Sequence, residues 1–267
     1  MIKRNFSVFV CLSILIGLLS DSAFAYSLEE IFKKKIDFQA GGSISLENTN
    51  GKIEVQGWSE PYVLIEAEKK VSASGKKRAQ EYMDQIEIDI YQSEKDIEIR
   101  THLPGRGKGG GFFDWIFGDH YSASVNYKIS VPHSSNLELS STNGAINVSE
   151  VEGTIRIETT NGAIRADEIA GKVDAYTTNG SIKVDFDRLA ENDEMDFNTT
   201  NGSITVYLPS DVACSVWART TNGSIKTDFP LEVSGKFNSK KLRGEINGGG
   251  SSLNFKTTNG SIRIAEK

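Results

Sequence analysis

The chain has 267 residues, a formal net charge of −6, two cysteines and three histidines, and its mean hydropathy is −0.33. That length allows one large core, and the acidic balance argues against nucleic acid and against general adhesion to anionic lipid. One of the two cysteines, Cys11, lies in a leading apolar run, so the rest of the chain keeps only Cys214 and no internal disulfide staples the fold.

Residues 1–25 read as a secretory signal peptide. Lys3 and Arg4 precede the apolar run Phe6 to Leu19, and Ser22-Ala23-Phe24-Ala25 supplies a small-x-small cleavage pattern. Cleavage near Ala25 leaves Tyr26 as the mature N-terminus, a net charge of −7 and no transmembrane segment. Cys11 sits inside the run rather than at its end, which argues against a lipid anchor. The expected location is the periplasm, the cell surface or the medium.

Residues 26–135 read as an irregular N-terminal β region. A short amphipathic stretch, Leu28 to Phe32, comes first; Gly42–Leu46 and Gly51–Val55 then flank an early Asn50-Gly51 and form a first coil. Gly57 to Pro61 is a turn, Tyr62 to Ala67 a strand, and Ser74 to Met83 the one helix. Alternating runs follow at Ile86–Ile90 and Ile97–Ile99. An atypical terminal unit that covers the first open edge of a stack accounts for 36–103.

Residues 104–122 break the alternation. A glycine-rich basic stretch feeds five large apolar side chains, Phe112, Phe113, Trp115, Ile116 and Phe117. They either tuck back against the stack or form a docking patch for an envelope protein or a membrane surface. The glycines are not a phosphate loop, because no Gly-Lys-(Ser/Thr) follows them.

From 136 to 267 the chain is a repeat, continuous with the preceding region. Ser141-Thr142-Asn143-Gly144 is followed by Thr-Thr-Asn-Gly at 159–162, 177–180, 199–202, 220–223 and 257–260, with a looser copy at Asn48–Gly51. The spacings are 18, 18, 22, 21 and 37 residues. The last gap reads as two coils with Gly244–Gly250 as a degenerate copy, and the final copy then stands at an edge capped only by Ala265–Lys267. Each corner precedes Gly-x-Ile-x and follows an alternating run, so one repeat is strand–corner–strand. Asn-Gly accepts positive φ at both positions and suits the corner.

Hairpins also favour Asn-Gly. They do not require the Thr pair before it or the Ile after it in every copy. A stack of coils about 4.8 Å apart does, since like then pairs with like. The fold class expected is all-β, a single-stranded β-solenoid with coils of about 18–22 residues and one short helix. Asn143, Asn161, Asn179, Asn201, Asn222 and Asn259 form one structural ladder, and Thr159, Thr177, Thr199, Thr220 and Thr257 another.

Three residues past the corner glycines stand Arg165, Lys183, Lys226 and Arg263, a candidate basic stripe for an acidic polysaccharide. Asp167, Asp185 and Asp228 follow two residues on and can neutralise it. Asp185 and Asp187 are the candidate pair for a calcium-dependent lyase of the β-helix type. The histidines, His102, His120 and His133, have no metal spacing, and no cofactor is expected. Cys214 lies in a strand-like run, Asp211 to Trp217, and reads as a buried thiol.

The signal peptide, the early Asn-Gly-x-Ile-x-Val with Gly57-Trp58, Val131-Pro132 before the repeats, the serial Thr-Asn-Gly-x-Ile and Gly248-Gly249-Gly250 together resemble the bacterial putative-adhesin family, over roughly 36–265. The resemblance implies a domain of unknown function with a β-solenoid fold and no catalytic residues. The reading is an exported cell-envelope protein that binds or scaffolds through its flat faces. The alternatives are a polysaccharide-active β-helix enzyme, and a structural or sensing partner of an envelope complex that docks through Phe112–Phe117.

Overall fold

Apolar residues at every second position bury one face of each strand and leave the other in water. The computed structural model describes residues 26–93, 95–104, 121–230, 232–233 and 239–267; the signal-peptide reading and the Phe112–Phe117 patch fall outside them. The N-terminal part contains β1 (Tyr26–Asp37), β2 (Ser43–Asn50), β3 (Ile53–Trp58), β4 (Tyr62–Ala73), α1 (Lys76–Met83), β5 (Glu87–Gln92), β6 (Asp96–His102) and β7 (Tyr121–Pro132). The repeats form β8 (Asn136–Asn143), β9 (Ile146–Ser149), β10 (Glu152–Asn161), β11 (Ile164–Asn179), β12 (Ile182–Leu189), β13 (Glu194–Asn201) and β14 (Ile204–Leu208). They continue with β15 (Cys214–Asn222), β16 (Ile225–Thr227), β17 (Glu232–Val233), β18 (Lys241–Ile246), β19 (Ser251–Asn259) and β20 (Ile262–Glu266).

Strands that run into the Asn-Gly corner make a first sheet, in the order β5-β6-β2-β8-β10-β11-β13-β19-β15-β18-β17. Strands that leave the corner make a second, β1-β4-β7-β3-β9-β11-β12-β14-β20-β16, with the long β11 contributing one half to each. The coils pair in parallel and in register, Thr159 on Thr177 and Asn161 on Asn179. The β-solenoid expectation is borne out, and hairpins between successive repeats are not formed.

The two sheets share one hydrophobic cluster that runs from Ile36 to Ile264. Phe186 of the second sheet meets Phe197 of the first edge-on at 6.4 Å, and Phe197 stacks on Phe255 at 5.1 Å. The interior is filled by Ile, Val and Phe side chains from both sheets. Side chains that can meet a ligand therefore stand on the outer faces, at the corners or at the ends.

Four expectations are corrected. The corner glycines 144, 162, 180, 202, 223 and 260 do not have positive φ; among the corner glycines only Gly51 does, at 122°. Glycine is needed because a Cβ on Gly180 would lie 1.9 Å from the Gly162 carbonyl oxygen, and one on Gly162 would lie 2.0 Å from that of Gly144. Positive φ occurs instead at the opposite corners, at Glu150 (58°), Glu168 (57°) and Asn192 (57°).

Gly244–Gly250 is not a degenerate coil. Its first residues belong to β18, which runs antiparallel to β15 and carries β17 on its other side at the end of the first sheet. The final copy is not an edge coil either. β19 lies between β13 and β15, and β20 between β14 and β16, so the last coil fills a slot left open earlier in the chain. At the other end, β2 and β3 are a regular coil against β8 and β9. The terminal unit consists of β1, β4, β7, the β5–β6 hairpin and α1, and the Leu28–Phe32 stretch is part of β1.

Candidate functional site

On the second sheet the predicted stripe exists. Asn147, Arg165, Lys183, Thr205, Arg263 and Lys226 stand side by side in one row, with Arg263 ahead of Lys226 because the last coil is inserted. Carboxylates meet most of its charge. Arg165 lies 2.5 Å from Asp167, Lys183 lies 3.9 Å from the same Asp167 and over the ring of Tyr207, and Arg263 lies 3.0 Å from Asp228. The neighbouring Asp167 holds the Arg165 guanidinium still further above its ordinary value. Asp185 and Asp187 are joined by Lys267, whose Nζ lies 2.8 and 2.5 Å from them and is itself held above its ordinary value by both. The Lys267 ammonium thus neutralises both carboxylates of the pair.

The first sheet carries a second set of cations that the repeat pattern did not single out. The residue before each Thr pair points outward, and register places Lys241, Arg219 and Lys256 on three adjacent strands, β18, β15 and β19. The row continues with Asn198, Tyr176 and Glu158. One row over, Arg243 stands opposite Trp217, and Trp217 opposite Asn254. Arg219, Lys241, Arg243 and Lys256 are exposed, and among the described residues none has a carboxylate within ion-pair distance. Like charges on directly neighbouring strands destabilise a sheet, by a few tenths of a kcal/mol per pair. The Trp217 indole is 40% exposed. A shallow depression of about 340 Å³ lies along Trp217, Arg243 and Asn254, and another of about 370 Å³ along Arg219 and Lys241. Arg219 and Lys256 were legible in the sequence as the residues before Thr220 and Thr257. Lys241 was not, because β18 runs antiparallel and lies outside the repeat.

The corner is a continuous amide ladder. Asn143 donates from Nδ2 to Oδ1 of Asn50 at 2.8 Å, Asn161 to Asn143, Asn179 to Asn161 and Asn201 to Asn179, each at 2.8 Å. Asn259 then donates to Asn201 at 2.7 Å and Asn222 to Asn259 at 2.8 Å, again in the inserted order. Beneath it each first Thr donates to the corner glycine carbonyl of the neighbouring coil: Thr159 to Gly144 at 3.1 Å, Thr177 to Gly162 at 3.0 Å, Thr220 to Gly260 at 2.8 Å. These bonds join coil to coil and account for the recurrence of Thr-Thr-Asn-Gly as structure.

Next to the early corner at Asn50-Gly51, Pro104 and Tyr121 come together beside Ala123 and Asn143. The Tyr121 hydroxyl donates to the Pro104 carbonyl at 2.6 Å. An open depression of about 920 Å³ there is lined by Asn50, Arg100, His102 and Tyr121 among others. His102 lies 3.2 Å from Asp89, and His133 Nδ1 lies 2.7 Å from the Glu150 carbonyl oxygen. His120 is outside the described residues. Among the described residues no three His, Cys, Asp or Glu side chains gather into a metal-sized group, and no helix is long and apolar enough to cross a membrane. Cys214 is fully buried, and burial pushes its thiol from 9.0 up to about 12.

Residues 33–265 match the model of a family described as Toastrack DUF4097. No curated protein matches the chain. Among solved structures, a putative cell adhesion protein from Clostridium sporogenes ATCC 15579 is 17% identical, covers 91% of this chain and 100% of its own, and superposes with a TM-score of 0.47. A putative adhesin from Bacteroides fragilis NCTC 9343 is 10% identical over 88% of this chain and 96% of its own, with a TM-score of 0.45.

Proposed function

The chain belongs to the Toastrack DUF4097 family, and from that premise we propose that it is an exported, non-catalytic binding or scaffold protein of the bacterial envelope. One observation carries the reading. The interior is filled, while the two outer faces present side chains of successive coils in registered rows. Such a surface suits an extended ligand that contacts several coils at once, an acidic polysaccharide or the face of another envelope protein. Export rests on Lys3-Arg4, the apolar run and Ala23–Ala25. The non-catalytic reading is supported by Lys267, which ties up the Asp185 and Asp187 carboxylates.

Two measurements test this. N-terminal sequencing of protein recovered from the producing cell is expected to start at Tyr26 in an envelope or secreted fraction; an intact Met1 in the cytoplasm overturns export. Residues 26–267 incubated with calcium and acidic polysaccharides are expected to be retained without releasing unsaturated product. Product formation overturns the non-catalytic reading and restores the lyase.

A further inference from the structure

We propose that the first-sheet face at Trp217, Arg219, Lys241 and Lys256 is a binding site for a short segment of a linear acidic glycan. The proposal rests on the reading above and deepens it by naming the face and the ligand chemistry.

The charge pattern of the molecule singles out this place. Elsewhere on the same sheet cations have local partners: Arg156 lies 3.7 Å from Glu158, and Lys172 lies 3.9 and 3.8 Å from Asp174 and Asp193. Lys241, Arg219 and Lys256 instead stand on three successive strands with no carboxylate partner among the described residues, and Arg243 adds a fourth charge one row away. The chain between β17 and β18, Ser234-Gly-Lys-Phe-Asn238, contains no acidic residue that could neutralise them. Three strands span about 10 Å at the usual spacing. A linear polyanion laid across the strands would relieve the mutual repulsion of all three cations.

The aromatic residue selects the class of polyanion. Trp217 is 40% exposed, flanked by Arg243 on one side and Asn254 on the other, with a depression along the three of them. An indole offers a flat apolar face, which matches the C–H face of a sugar ring and has no counterpart in a bare phosphate chain. Arg243 beside it supplies donors for a carboxylate. The Asn254 amide donates one hydrogen to Glu194 at 2.7 Å and keeps the other for a hydroxyl, and Glu245 lines the same depression. Further along the face stand Asp196, Asp174, Glu158 and Glu138. These acids would repel a long, densely charged nucleic acid, and they limit the site to its cationic end.

The test measures binding of residues 26–267 to a polyuronate, to its methyl-esterified neutral form, to inorganic polyphosphate and to single-stranded DNA, at low and physiological salt. The expected result is salt-sensitive binding to the polyuronate with little binding to the neutral form. The double variant R219S/K256S is expected to weaken it roughly tenfold, a loss restored by R219K/K256R, while W217A weakens polyuronate binding by a similar factor. R165S/K183S on the second sheet should leave binding unchanged. Thermal unfolding confirms that each variant folds, and the charge-conserving pair keeps the test valid if the serine pair does not.

If the wild type binds no polyuronate, both the glycan reading and this site fall. If binding survives R219S/K256S but is lost in R165S/K183S, glycan binding stands and this site is overturned. Equal affinity for polyphosphate or DNA, insensitive to W217A, overturns the glycan class. Salt-sensitive self-association abolished by R219S/K256S assigns the patch to a second copy of the chain and overturns the proposal.

Discussion

The parallel coils and the antiparallel N-terminal end hold their strands together with different chemistry. In β1, β4 and β7, unlike residues meet across strands, and ion pairs follow: Lys33 with Glu66 at 2.6 Å, Lys70 with Glu29 at 3.2 Å, Lys69 with Glu30 at 3.5 Å. In the coils the corner positions meet their own kind, Thr on Thr, Asn on Asn and Ile on Ile. A charge repeated there would repel itself, so the repeated positions are self-complementary: an Asn amide that donates and accepts, a Thr hydroxyl facing a carbonyl, an Ile facing an Ile. Some charged residues of the coils have a partner two residues away on the same strand, as Arg165 with Asp167 and Arg156 with Glu158, and others pair between coils, as Arg263 with Asp228.

The contrast is broken most severely by removing the inserted coil. Deleting residues 251–267 exposes strand edges on both sides of the slot, and the expected outcome is loss of a cooperative unfolding transition by circular dichroism. Deleting residues 26–37 removes β1, an edge strand with β4 as its neighbour. That protein is expected to fold with a lowered Tm. Equal damage from the two deletions would contradict the inserted order.

Next in size is the corner. Gly180→Ala drives a methyl to 1.9 Å from the Gly162 carbonyl oxygen, and chemical denaturation should register a loss of about 3 kcal/mol or more. Gly75, at the start of α1, has φ of 102° but open space around it. Gly75→Ala should cost only about 1–2 kcal/mol of backbone strain.

Alkaline pH acts on one buried group in each region. Burial raises Cys214 in β15 from 9.0 to about 12 and Tyr127 in β7 from 10.0 to about 12, the latter against a 2.7 Å hydrogen bond with Thr101. Both folded-state values lie above the unfolded ones, so the folded form favours the neutral group. The stabilisation is complete below about pH 9 and is lost as the pH rises from 9 towards 12. Cys214→Ala should flatten the first part of that decline, and the native thiol should not react with a disulfide reagent near neutral pH until the protein is denatured.

Smaller effects sharpen the rule within one ladder. Thr177→Val keeps the shape but removes the bond to Gly162, and about 1 kcal/mol should be lost. Ser141, at the equivalent position against the early coil, has a buried hydroxyl with no partner. Ser141→Ala should therefore be neutral or stabilising, by up to about 1 kcal/mol. A loss at Ser141 equal to that at Thr177 would show that it too bonds to its neighbour coil. Smallest is Lys33→Ala, whose exposed pair with Glu66 should be worth about 0.5 kcal/mol or less.

Much of this was legible in the chain. The Thr-Asn-Gly corners announced the ladders of Asn161, Asn179 and Thr177, and the alternating runs announced the buried Ile164, Ile182 and Ile204. The family resemblance read from those motifs agrees with the match over 33–265. The basic stripe was visible because it repeats, and so were its partners Asp167 and Asp228. The cluster at Lys241, Arg219 and Lys256 was not, since it joins two repeat positions to a strand of opposite direction.

Sequence alone determined the local geometry: which residues alternate, where each coil turns, and that equal positions stack on equal positions. Alternation and corner chemistry are properties of neighbouring residues, and they survive whatever surrounds them. The order of the coils in space was decided only by the tertiary structure. Repeats alike enough to stack are also alike enough to exchange places, so Thr-Thr-Asn-Gly at 257–260 fits against 199–202 as well as against 220–223. The antiparallel pairing of β18 with β15 sends the chain back between the two, and that non-local contact places the last coil inside the stack.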